Sequence, residues 1–314
     1  MLRYTLHRLI LMIPLLIGLA VLVFFYVNML PGDPIAGALG PEATEEQIDY
    51  IRHELGLDRP ILVRFVEWVR GVLRGDLGIS FASRTKITPV LINRIPATLE
   101  LALGGLVFAV GIGLPFGFIA GLKKNTKIDY LFSAAALGGL SMPHFWLGTL
   151  LLVFLGVKLK IMPTGGYVPF SEDPKQSITY LLMPAFTLGI NLAPFIARMT
   201  RASVIETMQE PFVAFARAKG LREKTILVRY IIRHALCQVV VVLAMYAGHL
   251  LGGSLVVEEL FLWPGMGRLF VGSVRGLDYF LLQACILIYA VLRLLLNLLA
   301  DLLHAQLDPR IQLK

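Results

Sequence analysis

Six apolar stretches, each close to the length that crosses a lipid bilayer, constrain this chain more than any other feature. They run over residues 9–30, 101–122, 130–157, 177–197, 235–257 and 279–300. About 20 residues at 1.5 Å per residue span the roughly 30 Å of hydrocarbon. Each stretch is predicted to be a helix, because an unpaired backbone amide in lipid costs several kcal/mol and a helix pairs its own. The fold class expected is therefore an all-α membrane protein of about six transmembrane helices. Composition agrees. The chain is 57% hydrophobic and 16% charged, against about 25% charged in soluble domains, so lipid is the solvent that accommodates the surplus.

Residues 9–30 contain no charge over 22 positions, longer than the roughly 7–15 apolar residues of a signal peptide. No small-x-small cleavage site follows, so this stretch is read as a retained span. The third stretch contains Pro143, which is expected to kink it or to mark a re-entrant segment. The last contains a single charge, Arg293.

The net charge of +8 admits either nucleic-acid binding or a membrane protein with basic cytoplasmic loops. Its distribution favours the second. Lys123, Lys124 and Lys127 crowd one short loop. Residues 198–233 hold eight Lys and Arg against Glu206, Glu210 and Glu223. Basic short loops stay in the cytoplasm, which predicts both termini cytoplasmic and no nucleic-acid partner. Residues 31–96 carry nine acids and eight bases, with helical spacing at Ile48, Ile51, Leu55 and again at Ile61, Phe65, Val69, Leu73. They read as a small helical extracytoplasmic subdomain. The expected organisation is a first span at 1–30, this subdomain at 31–96, a five-helix core at 97–303 with a cytoplasmic loop at 198–234, and a tail at 304–314.

The sequence carries no signature of an energy source or of catalysis of its own. The sequence has no G-x-x-x-x-G-K-[ST] phosphate cradle. Its spans lack the Asp, Glu and His series of a proton relay, and no Ser/His, paired-carboxylate or HExxH arrangement marks an enzyme. Cys237 and Cys285 lie in apolar runs without metal-site spacing and are expected to be buried thiols.

The most informative polar stretch is Glu206-Thr-Met-Gln-Glu-Pro-Phe-Val-Ala-Phe-Ala-Arg-Ala-Lys-Gly220. Pro211 suits the first position of a helix and Gly220 the residue past its end. Such a helix offers Phe212 and Phe215 to a groove in another protein; lying flat on lipid headgroups is the other reading.

Ala214-Phe-Ala-Arg-Ala-Lys-Gly220-Leu221, followed by Arg233-His-Ala-Leu236, resembles the "EAA" loop of ABC importer permeases, although Phe212 and Val213 stand where its glutamate is usual. Leu30-Pro-Gly-Asp-Pro34, Arg74-Gly-Asp-Leu-Gly-Ile-Ser-Phe81, residues 252–269 and Leu307-Asp-Pro-Arg310 extend the resemblance along nearly the whole chain. Together they resemble the B-type permease of dipeptide, oligopeptide and nickel importers, a group that also includes glutathione importers. The resemblance implies a type I ABC importer permease fold in a bacterial inner membrane. It further implies a heterodimer with a second homologous permease, two ATPase subunits carrying ATP and Mg, a solute-binding protein outside, and no cofactor on this chain. Phe212, Phe215, Ala216, Arg217, Ala218, Lys219 and Gly220 would form the coupling helix. Small peptides are the expected cargo; nickel, a nickel chelate or glutathione are alternatives, and an ion-coupled secondary transporter is the rival from another class.

Candidates for the translocation path are Glu100, His144, Met245 and His249. Glu100, after Pro96-Ala-Thr98, also suits a helix N-terminus. His and Met together suit a soft metal, yet a lone packed histidine is the plainer reading, and no metal site is assigned. Glu258, Glu259 and Trp263 are read as an outer gate or binding-protein contact, or equally as a rigid turn that orients the last span.

Overall fold

The computed structural model describes residues 2–30, 35, 43–54 and 56–307, with side chains undescribed at 2–4, 140, 237, 238, 241, 242, 244, 245, 247, 249 and 303–307. The motif residues 31–34 and 308–310 therefore lie outside the described residues. The helices are α1 (Leu2–Asn28), α2 (Glu45–Glu54), α3 (Ile61–Leu73), α4 (Ile87–Leu122), α5 (Lys127–Ser141), α6 (His144–Leu151), α7 (Pro174–Met208), α8 (Pro211–Ala218), α9 (Glu223–Ile226), α10 (Arg233–Leu260), α11 (Met266–Arg275) and α12 (Tyr279–Leu307). α6 and α9 each run on into a π-helical stretch, Leu152–Lys158 and Leu227–Ile232. Among the described residues the extended pairing is a single bridge between Ile79 and Lys86.

Among the described residues four helices are long and apolar enough to cross a membrane: Thr5–Asn28, Ile87–Leu122, Pro174–Met208 and Tyr279–Leu302. The pair Lys127–Gly139 and His144–Lys158, bent by 93° at the break, supplies a fifth if it is one span. The remaining apolar stretch, 235–257, lies in α10, whose 28 residues would reach about 42 Å.

The second span begins earlier than its hydropathy indicates. α4 has 36 residues, about 54 Å, so its polar first turns must project beyond the hydrocarbon. Pro96 reads in sequence as a boundary, but the helix runs through it. Glu100 consequently lies in the helix interior, which removes its expected role at a helix N-terminus.

The chain divides into two compact units, one formed by Met1–Tyr4, Leu99–Trp263 and Leu296–Lys314, the other by Thr5–Thr98 and Pro264–Leu295. This division groups residues 31–96 with the first span and the start of the last.

In the first unit α7 packs against α5, α6 and α10 and buries a face that includes Ala185, Leu188, Ile196 and Val204. α4 reaches it through glycines spaced four apart. A Cβ on Gly113 would stand 2.7 Å from the Ala193 carbonyl oxygen. One on Gly117 would stand 2.5 Å from that of Ala197, and one on Gly121 would stand 2.8 Å from the Val204 side chain. Close approach of this kind replaces the hydrophobic effect as the glue between helices in lipid. Gly117→Val should cost about 3 kcal/mol, the upper end for overpacking, because the clash is with backbone. That corresponds to a fall of about 5–10 °C in the melting midpoint of the detergent-purified chain. Gly111→Ala, with nothing within 4 Å, is the control and should melt no lower than the parent chain, since alanine is the better helix former.

In the second unit α3 lays Phe65 and Trp68 against Phe24 and Phe25 of α1, with ring centroids 5.2–5.8 Å apart. Leu73, at the end of the same helical stripe, is 81% exposed. Ile87, Leu91, Met266 and Cys285 form the apolar centre. A buried carboxylate pins its edge. Asp278 accepts the Leu281 N–H at 3.2 Å, capping α12, and takes the Ser80 hydroxyl at 2.5 Å and the Ala82 N–H at 3.3 Å. The Arg74–Phe81 motif thus closes on the start of the last span.

Candidate coupling helix and polar sites between the spans

α8 is bounded as its sequence requires. Pro211 sits in the first turn, where its missing N–H is no loss. Gly220 takes φ +74°, a left-handed conformation that costs other residues about 1–2 kcal/mol. The turn closes through hydrogen bonds from Gly220 N–H to the Arg217 carbonyl (2.9 Å) and from Leu221 N–H to that of Ala216 (3.3 Å).

Eight residues offer one face for burial, and Val213 and Ala216 take its middle. They pack with Val204, Ile226, Ile231 and Ala235. At about 100° per residue Phe212 falls at the edge of that face and Phe215 well outside it. The two phenylalanines accordingly part company. Phe212 is half-buried, with its ring 5.3 Å from His234, so it holds α8 to its own chain and is not the free anchor expected from sequence. Phe215 is 61% exposed, with the Lys219 ammonium 4.6 Å from its ring centre. Arg217 leaves this patch to pair with Glu223 at 2.9 Å. Ala214, Ala218, Lys219 and Gly220 are exposed around Phe215, a low rim about one aromatic.

A further ion pair uses an arginine that the sequence count had placed among the loop charges. Arg201, near the end of α7, grips Asp129, at the start of α5, through Nε–Oδ1 at 2.6 Å and Nη2–Oδ2 at 2.8 Å. The Asp129 side chain is 2% exposed and that of Arg201 31%. Asp129 also accepts the Asn125 N–H at 2.9 Å, and its own N–H donates to Thr126 Oγ1. The signal was present as Thr126-Lys-Ile-Asp129, a capping pattern.

Of the path candidates, Glu100 and His144 have described side chains, each with its own polar neighbour. Glu100 is half-buried and hydrogen-bonded to the Tyr167 hydroxyl. Burial and that carboxylate together push the phenol up to about 12. The Tyr167 ring stands edge-on to Trp263, centroids 4.8 Å apart. His144 begins α6 just past the bend, and its Nδ1 lies 3.0 Å from the Asn191 side-chain amide on α7. The side chains of Met245 and His249 lie outside the described residues. Among the described residues no group of three His, Cys, Asp or Glu comes together for a metal.

Trp263 and Glu258 are fully buried and Glu259 partly so. A direct surface contact does not fit the first two. Trp263 N–H donates to the Glu258 carbonyl at 2.8 Å, and Gly166 N–H donates to that of Phe261 at 3.1 Å. These bonds tie the loop before α7 to the end of α10. Tyr167 and Asn191 carried no motif in the sequence; only folding sets them beside Glu100 and His144.

Residues 113–313 match the family described as "Binding-protein-dependent transport system inner membrane component", and residues 1–102 match its N-terminal counterpart. The glutathione transport system permease protein GsiC of Escherichia coli strain K12 is 39% identical over 314 residues, covering all of both chains. The protein of the same name from Salmonella paratyphi A is also 39% identical, again end to end. Among solved structures, the inward-facing MetNI methionine ABC transporter aligns with a TM-score of 0.59 at 20% identity, covering 70% of this chain and 96% of the other. An amino acid ABC transporter with histidines aligns at 0.53 and 20%, covering 70% and 94%. At that identity the likeness speaks for the fold, that of a type I importer permease.

Proposed function

The chain belongs to the inner membrane components of binding-protein-dependent transport systems, and on that premise we propose that it carries small peptides, glutathione among them, under the drive of ATP hydrolysed by separate subunits. It is a permease subunit of an ABC importer. Full-length similarity to two permeases named for glutathione transport supports the peptide class.

The observation that carries the mechanism is the outward face of α8. A two-turn helix, fixed to its own chain by Val213, Ala216 and Phe212, presents Phe215 among small residues. In this reading an ATPase subunit receives Phe215 in a cleft. Closure of paired ATPases then moves α8 as a rigid piece and tilts the spans between inward-open and outward-open states. The same reading puts α8 and both termini in the cytoplasm and residues 31–96 outside. ATP and Mg sit on the partner ATPases, a second permease completes the path, and a solute-binding protein delivers the cargo.

Reconstitution with the partner permease, ATPases and binding protein tests this. Peptide uptake should require ATP and the binding protein together. Uptake driven by a proton or sodium gradient without the ATPases would overturn it.

A further inference from the structure

From Met183 to Ala197, α7 is buried or half-buried at every position but one. The exception is Asn191, exposed at the midpoint of a helix long and apolar enough to cross the membrane. Its side-chain N–H donates to His144 Nδ1 at 3.0 Å. The bend between α5 and α6 lies against the same stretch of α7. A Cβ on Gly139 would stand 2.9 Å from the Pro194 ring, and one on Gly148 would stand 3.0 Å from the Thr187 methyl. His144 meets Asn191 between these two contacts. The helix axes turn by 93° at the bend, which leaves the last carbonyls of α5 and the first N–H groups of α6 without helical partners. Pro143 gives α6 no side-chain cap. Ser141, Met142, Pro143, Phe145 and Trp146 are all exposed, so this chain does not itself bury the broken backbone.

A carboxamide facing hydrocarbon forgoes its hydrogen bonds at high cost. Backbone outside a helix is tolerated at membrane depth only inside protein or beside water. An exposed amide and an exposed break, two independent features, thus ask for the same non-lipid surroundings beside α7. We propose that Asn191 lines the translocation path and reads the cargo's backbone there, with His144 as the residue that positions it. With one amide N–H given to His144 Nδ1, Asn191 keeps its acceptor oxygen and a second N–H. That pair matches the N–H and C=O of a single extended residue, which point to the same side of a strand. The match is indifferent to side chains, as carriage of small peptides as a class requires. The assignment rests on the peptide reading above and gives this chain a part in recognising the cargo.

The test uses the complete assembly, both permeases with ATPases and binding protein, reconstituted in phosphatidylcholine liposomes. Asn191→Leu should lower uptake of trialanine about tenfold, the worth of two neutral hydrogen bonds, without lowering the melting midpoint. The diagnostic cargo is trialanine methylated on the central residue's nitrogen, which lacks that N–H. With the binding protein saturated by either cargo, the preference for trialanine should be about fivefold greater in the wild type than in Asn191→Leu. His144→Phe, which keeps a ring and removes the acceptor, should lose about twofold of the same preference; His144→Gln, with an acceptor oxygen, should restore it. Asn191→Cys should react with a membrane-impermeant thiol reagent faster than the parent chain, whose Cys237 and Cys285 give the blank. No labelling above that blank would overturn the path, setting residue 191 against lipid or the partner permease. Peptide uptake with an unchanged preference in Asn191→Leu would refute the backbone pairing alone. An assembly that moves another cargo but no peptide would refute the peptide reading and the pairing together, while labelling at residue 191 would still hold the path.

Discussion

Phe215→Asp should abolish ATP-driven uptake while leaving the chain folded. The ring is 61% exposed and contributes little to the chain's own core, so its removal should shift the melting midpoint by less than about 1 kcal/mol equivalent, as surface changes do. At a docking surface the same ring is the kind of residue that dominates binding, because an aromatic seated in a desolvated pocket is worth about 2–4 kcal/mol. That predicts roughly 30- to 1000-fold weaker ATPase association. An aspartate adds the penalty of a charge in an apolar cleft. Co-purification of the ATPase subunits and peptide-stimulated ATP hydrolysis give the readout. Phe212→Ala should behave differently, lowering stability because Phe212 packs on His234 and the α8 core. Normal uptake by Phe215→Asp would remove α8 from the coupling path.

Arg201→Gln should have the largest effect on stability among single charge changes. It leaves the Asp129 carboxylate, 2% exposed, without its bidentate partner. Breaking a fully buried ion pair costs about 3–5 kcal/mol. Arg201 keeps 31% exposure, so water already screens one side, and about 2–3 kcal/mol is the better expectation. Asp129→Asn should cost less, since the arginine left behind reaches solvent. The double variant should be more stable than the sum of the two losses by at least about 1 kcal/mol. Chemical denaturation of the purified permease measures all three. Additive losses would show that the pair contributes no coupling. The pair joins the start of α5 to the end of α7, immediately before α8. Uptake per folded molecule should therefore fall in both single variants if this joint transmits the movement of α8.

Much of the fold was legible because lipid imposes a simple rule. A run of about 20 apolar residues has to be helical and has to cross. The α8 boundaries were legible for an equally local reason: proline lacks a donor and glycine tolerates φ +74°. What hydropathy could not show is where a helix extends past the bilayer. Polar turns such as those of α4 before Leu101 are helical through tertiary packing of Ile87 and Leu91, so the span was read as starting late and Glu100 as a helix start.

The side of a short helix that faces outward was likewise beyond the sequence, because Phe212 and Phe215 are chemically identical. Packing of Val213 and Ala216 against α7 and α10 decided between them. Long-range polar pairs follow the same logic. Arg201 with Asp129, Ser80 with Asp278, and Tyr167 with Glu100 are separated by 72, 198 and 67 positions, and no local pattern joins residues so far apart. Composition and periodicity determined that this chain lives in a membrane and carries a helix between its spans. Only the packed structure decided which ring that helix shows and which charges brace it, since those depend on contacts that form after the helices meet.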